Sequence, residues 1–186
     1  RPPGPAHAGT VDGNPAAAGI GHPDGVRRVS ALQRIPGPDR GISRIVDALG
    51  SAGALTVSAV DHVAQEDARL VTWSGAAPAT LALQGATPID LQREANGQLS
   101  LAFNYRVDAA PSGPVQLSVE CGENCAGKYE ITDHLRKATK GEWQQLKILL
   151  QCFQKNGADM RAVTAPLAIS TEGSLKLGVA NVRLET

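Results

Sequence analysis

The stretch QLSLAFNYRVD, residues 98–108, constrains the fold more than any other part of this chain. Leu99, Leu101, Phe103, Tyr105 and Val107 share one phase, and Ser100, Asn104, Arg106 and Asp108 take the other. A helix would scatter these apolar side chains around its axis. A strand places them all on one face, so the segment reads as a strand with one side buried. PVQLSVEC (114–121) repeats the pattern with Val115, Leu117, Val119 and Cys121 in phase, after a turn at Pro111-Ser-Gly-Pro114.

Further short segments carry the same period. They are ALTVSAV (54–60), LVTWSG (70–75), ATLALQG (79–85), WQQLKILLQCF (143–153), APLAIST (165–171) and SLKLGVANVRLE (174–185). The last two are joined at Glu172-Gly173, which reads as a hairpin-like turn. Within 143–153, Leu146, Ile148, Leu150 and Cys152 fall in one phase. Helical periodicity is confined to ITDHLRKAT (131–139) and FQKNGADMRAV (153–163). About eight or nine regularly spaced strands predict an all-β chain, an antiparallel β-sandwich or jelly roll with short helices.

The first residues are different. RPPGPAHAGTVDGNPAAAGIGHPDG is rich in Pro, Gly and Ala and almost empty of large apolar residues. Such a segment buries too little surface to offset the entropy of ordering it. Residues 1–37 therefore read as a linker or disordered N-terminal segment, with a turn at Pro36-Gly37-Pro38, and 38–186 as the folded domain. The chain begins with Arg1 and no apolar leader follows, which reads as a processed chain or fragment.

Lys and Arg together number 18, as do Asp and Glu. That balance offers no electrostatic reason to expect a nucleic-acid or anionic-membrane partner. No window approaches the roughly 18 consecutive apolar residues needed to span a bilayer. No nucleophile elbow, metalloprotease, P-loop or dinucleotide-binding motif is present. His7 and His22 lie in the N-terminal segment; His62 and His134 have no nucleophile close in sequence and read as surface or turn histidines. No catalytic residue, cofactor or metal is expected.

The three cysteines allow one internal disulfide at most. Cys121 and Cys125 flank Gly122-Glu-Asn, and Cys152 lies in a later apolar run. A disulfide, either Cys121–Cys125 or one of these with Cys152, competes with small buried thiols. Zinc is disfavoured by the spacing and the lack of a partnering His. Glu120, Glu123 and Asn124 supply oxygen ligands, but nothing resembles a calcium loop.

Two constellations remain. Trp143, with Gln145 and Lys147 in the same phase, is the candidate carbohydrate-binding platform, against a structural role capping the core edge. Trp73 admits the same two readings. AQEDARLVTWSG (64–75) crowds Gln65, Glu66, Asp67 and Arg69 before a strand. Glycoside hydrolysis needs two carboxyls about 5–10 Å apart around one bond. Adjacent carboxylates on a strand point to opposite faces. The better account is a structural cluster, with Asp67 bonding backbone amides and Arg69 pairing with Glu66 or Asp67.

The motif Asp61, Gln65, Glu66, Asp67, Ala68, Arg69, Trp73 and Gly75 resembles the C-terminal domain of bacterial glycoside hydrolase family 3 exo-β-glucosidases. DLQREANGQLSLAFNYRVD, VQLSVECGENCAGKYEITDHL, WQQLKILLQCFQKNGADM and APLAISTEGSLKLGVANVRL follow in the same order, so the resemblance covers residues 38–186. It implies a galactose-binding-like β-sandwich, non-catalytic, packed on upstream catalytic domains of a periplasmic or secreted β-glucosidase and in contact with β-glucan. A stand-alone carbohydrate-binding module and a purely structural domain are the alternatives.

Overall fold

The computed structural model describes residues 53–85 and 87–186 in full, and the backbone of 29–32 and 45–50. Among the described residues, eleven strands and three short helices follow one another in this order. The strands β1 (Val29–Leu32), β2 (Ile45–Gly50), β3 (Leu55–Val60), β4 (Ala68–Ser74) and β5 (Ala79–Gln84) precede α1 (Gln92–Asn96). Then come β6 (Ser100–Ala109), β7 (Val115–Glu120), β8 (Ala126–Glu130), α2 (Thr132–Lys137), β9 (Trp143–Leu149), α3 (Leu150–Lys155), β10 (Ala165–Thr171) and β11 (Ser174–Glu185).

The strands form two antiparallel sheets, ordered β1-β2-β5-β10-β7-β8 and β3-β4-β11-β6-β9. The alternation read in 98–108 is what lets β6 serve as an inner strand of the second sheet. Leu101, Phe103, Tyr105 and Val107 are buried between the sheets, while Asn104, Arg106 and Asp108 stay half-buried on the outer face. Val115, Leu117 and Val119 of β7 and Leu167 and Ile169 of β10 face them from the other sheet, while Leu175, Leu177 and Val179 of β11 flank them in the same sheet. Trp73 is a core residue, 1 % exposed, its indole N–H donating to the Ala79 carbonyl at 3.1 Å.

The Glu172-Gly173 turn is not a hairpin: β10 and β11 belong to different sheets. The chain crosses from one sheet to the other there, and again at 110–114 and at 75–78. Two of these crossovers lie against each other at one end of the sandwich. The Ser112 amide donates to the Ser174 carbonyl at 3.0 Å, and the Ser174 amide to Ser112 Oγ at 2.7 Å. A Cβ on Gly173 would stand 2.6 Å from the Gly113 nitrogen, so a side chain there would force the loops apart.

The segment 143–153 is not strand throughout. β9 ends at Leu149, and α3 carries Leu150, Cys152 and Phe153. Leu150 and Phe153 are three apart, a helical spacing, and both are buried where α3 closes the gap between β8 and β9. Alternation through Leu146, Ile148 and Leu150 hides that change of period. The helical reading of 153–163 likewise shortens, since α3 ends at Lys155. The reading of 131–139 narrows to Thr132–Lys137. Strand β8 carries no apolar alternation and exists because β7 offers it a paired edge. Strand β1 falls in the stretch read as linker; the residues before Val29 lie outside the described residues, as does the turn at 36–38.

Candidate functional site on the outer face of the five-stranded sheet

The β3–β4 connection, residues 61–67, is built around two carboxylates. Asp67 accepts the amides of His62 at 2.7 Å, Ala64 at 2.9 Å and Val63 at 3.0 Å. Asp61 accepts the Glu66 amide at 2.7 Å, and Glu66 takes the left-handed backbone conformation with φ 57°. Partial desolvation pushes the Asp67 carboxyl up. The three amide bonds and the neighbouring His62 ring outweigh it and hold the group below the usual carboxylate range.

Arg69 does not pair with either carboxylate. It turns inward beside Val71 and Trp73, 5 % exposed, and donates from Nη1 to the carbonyls of Ala68 at 2.7 Å and Glu66 at 2.9 Å. The loop carbonyls lie closer to the buried guanidinium than any side-chain oxygen of Glu66 or Asp67. Gln65 and the Glu66 side chain are exposed and take no part in these bonds among the described residues.

The same loop reaches across the outer face of the five-stranded sheet. The His62 ring meets Trp143 of β9 edge-on, with ring centroids 4.6 Å apart. His62 Nε2 lies 3.0 Å from Asn104 Nδ2 on β6. Trp143 pairs across the sheet with Arg106, which pairs with Gly178 of β11. The indole extends over that row: a Cβ on Gly178 would touch its Cη2 at 3.0 Å. The Arg106 guanidinium sits 5.2 Å from the ring centroid and is held by a two-pronged bond to Asp108, at 2.7 and 2.9 Å.

Gln145 and Lys147 lie on the same face as Trp143 and bond to the end of β11. Gln145 Nε2 donates to Glu185 Oε1 at 2.9 Å, and Lys147 Nζ pairs with Glu185 at 3.4 Å and donates to the Thr186 carbonyl. Arg183 Nε reaches Glu185 Oε2 at 2.7 Å, while its Nη1 donates to the Asn181 carbonyl at 2.9 Å and to Asn104 Oδ1 at 3.2 Å. Partial burial works to raise the Glu185 carboxyl, but Arg183 and Lys147 hold it below its ordinary range. A continuous polar chain thus runs from His62 through Asn104 and Arg183 to Glu185, Gln145 and Lys147. Sequence reasoning missed His62, Asn104, Arg106 and Arg183; the shared outward phase of Asn104 and Arg106 in β6 was the available signal.

On the inner side, Tyr105 projects its hydroxyl to Gln144 Oε1 at 2.8 Å and His134 Nε2 at 3.0 Å. The phenol donates to the amide oxygen, so it accepts from His134. Burial pushes its ionisation upward. Cys121 and Cys125 form a disulfide across the β7–β8 turn, with Cα atoms 5.0 Å apart. Cys152 is a separate, half-buried thiol on α3. Among the described residues, no group of three His, Cys, Asp or Glu is placed to hold a metal ion. No described helix is long and apolar enough to cross a membrane.

Three solved structures illustrate the likeness to known folds. The extra C-terminal domain of an exo-1,3/1,4-β-glucanase from a Pseudoalteromonas species is 24% identical, with TM-score 0.59, covering 77% of this chain and 80% of that one. A family 30 carbohydrate-binding module of a Clostridium thermocellum cellulosomal cellulase is 15% identical, with TM-score 0.55, covering 87% and 92%. A family 11 module from Clostridium thermocellum, solved with a β-1,3-1,4-mixed-linked tetrasaccharide, is 11% identical, with TM-score 0.52, covering 74% and 85%. At these identities the likeness is one of fold. No curated protein sequence matches the chain. The family model described as galactose-binding domain-like, Exop_C, matches residues 38–184, and the chain belongs to that family.

Proposed function

We propose that this chain is a non-catalytic accessory domain of a periplasmic or secreted family 3 β-glucosidase. It packs on the upstream catalytic domains and contacts β-glucan through the outer face of its five-stranded sheet. The observation that carries the glucan contact is the half-buried Trp143 ring on that face, beside the two-pronged Arg106–Asp108 pair. A pyranose ring offers C–H groups to an aromatic face and vicinal hydroxyls to just such planar, bidentate polar groups. The family and its relation to an exo-glucanase extra domain support the setting. Affinity electrophoresis on mixed-linkage β-glucan tests it. Retardation is expected, and Trp143→Ala should weaken it about tenfold. No retardation on any β-glucan would sink the glucan contact.

A purely structural role is the second reading, and one observation favours it. His62 and Arg106 already lie against the Trp143 ring, and Gln145 and Lys147 are engaged with Glu185. On this reading, deleting the domain from the full-length enzyme lowers its stability and leaves substrate preference unchanged.

A further inference from the structure

Asn104 joins three parts of the outer face, and its chemistry leaves no freedom in how it does so. Arg183 Nη1 can only donate, so the Asn104 atom facing it at 3.2 Å must be the carbonyl oxygen. The amide nitrogen then faces His62, and a primary amide nitrogen also only donates. His62 Nε2 must therefore accept, which makes His62 the neutral tautomer with its proton on Nδ1. That proton lies on the side of Asp67, whose Oδ2 is 4.0 Å away.

We propose that His62 is a pH-sensitive latch. In its neutral form it fastens the 61–67 loop to the outer sheet face through Asn104 and buttresses Trp143. Protonation undoes the fastening. A proton on Nε2 would set N–H against N–H. Turning the Asn104 amide over would relieve that clash only by setting its NH2 against Arg183. One bond of the chain is lost in either arrangement. Asp67 does not restore it, because the added proton is on Nε2, while the Nδ1 that faces Asp67 lies 4.0 Å from Oδ2, beyond hydrogen-bond distance.

The charged surroundings of the latch are these. Asp61 and Asp67 lie on its own loop, with Glu66 exposed at the tip. Arg183 stands behind Asn104 and is neutralised by Glu185, which Lys147 also reaches. Arg106 lies against Trp143 and is neutralised by Asp108. Both arginines are paired, so the incoming charge meets the two aspartates unopposed. The weak point is the donor–acceptor arrangement at Asn104. The latch stands on this geometry alone and is independent of any sugar ligand.

Nitrogen-15 NMR of the intact chain tests it. At neutral pH the His62 signals should show the Nδ1–H tautomer. Acidification should shift the Asn104 side-chain amide and the Trp143 indole N–H together with the His62 ring. Asn104→Asp should abolish the response, since a carboxylate accepts from Arg183 and from a His62 Nε2–H that both the neutral and the protonated ring can supply. The loop then stays fastened on both sides of the His62 titration. An Nε2–H tautomer in the unaltered chain at neutral pH, or Asn104 and Trp143 signals that ignore His62 protonation, would overturn the proposal. So would the same response in Asn104→Asp.

Discussion

Replacing Gly127 by Ala probes the closure of the sandwich by α3. A Cβ at this position of β8 would stand 2.0 Å from the Phe153 carbonyl oxygen, 2.6 Å from its carbon and 2.9 Å from the Ala158 Cβ. Ordinary contact begins at 3.4 Å. The helix or the strand must therefore yield by well over an ångström, and the obstacle is backbone rather than the end of a flexible side chain. Moving α3 withdraws Leu150 and Phe153, both buried, from the core. Overpacking alone is worth about 1–3 kcal/mol. Partial extraction of Phe153 approaches the roughly 3–5 kcal/mol of a Phe→Ala change. We expect a destabilisation of about 3–5 kcal/mol, a large part of the ~5–15 kcal/mol that holds such a domain together. The melting temperature should fall by roughly 6–20 °C. Gly122→Ala is the control: with φ +115° and nothing within 4 Å, it meets backbone strain but no neighbour. Both changes restrict the unfolded chain alike. Urea unfolding that places Gly127→Ala within about 0.5 kcal/mol of Gly122→Ala would refute the reasoning.

Asp67→Asn should lower the melting temperature at neutral pH. Its depressed carboxyl contributes stability that is present above the ordinary carboxylate range and lost as the pH falls through its lowered native pKa. Melting curves of the two proteins should therefore converge under strongly acid conditions. Tyr105→Phe leaves His134 and Gln144 without their shared partner and should destabilise by about 1 kcal/mol in urea unfolding. Removing the Cys121–Cys125 bridge as the double serine variant frees a short loop, worth about 2 kcal/mol by chain entropy. The β7–β8 turn should then show faster amide exchange, while the strand ladder of β6 does not.

Much of the fold was legible because one physical signal repeats along it. Wherever a strand has one face in the core and one outside, its side chains must alternate, and β3 to β7, β9 and β11 carry that mark, whereas β10 is buried on both faces, with Leu167, Ala168 and Ile169 all out of solvent. Strand β8 does not, since AGKYE has no apolar face of its own and is recruited by pairing with β7. The start of α3 was hidden because Leu150 satisfies both the strand period behind it and the helical period ahead. Glu172-Gly173 has hairpin chemistry, but whether two strands joined by a tight turn pair or part depends on neighbours elsewhere in the chain.

The candidate site divides along the same line. Local chemistry in AQEDARLVTWSG was enough to suggest backbone bonds from Asp67, because its partners lie within five residues. The sequence by itself determined a two-layer sandwich, the inward and outward faces of its long strands, and the shared face of Trp143, Gln145 and Lys147. Only the tertiary structure decided where Arg69 spends its charge and what the loop at 61–67 rests on. His62 and Asn104 are 42 residues apart, and Arg183 and Asn104 are 79 apart. Strand order alone brings them together, and periodicity within a strand carries no information about which strand lies beside it.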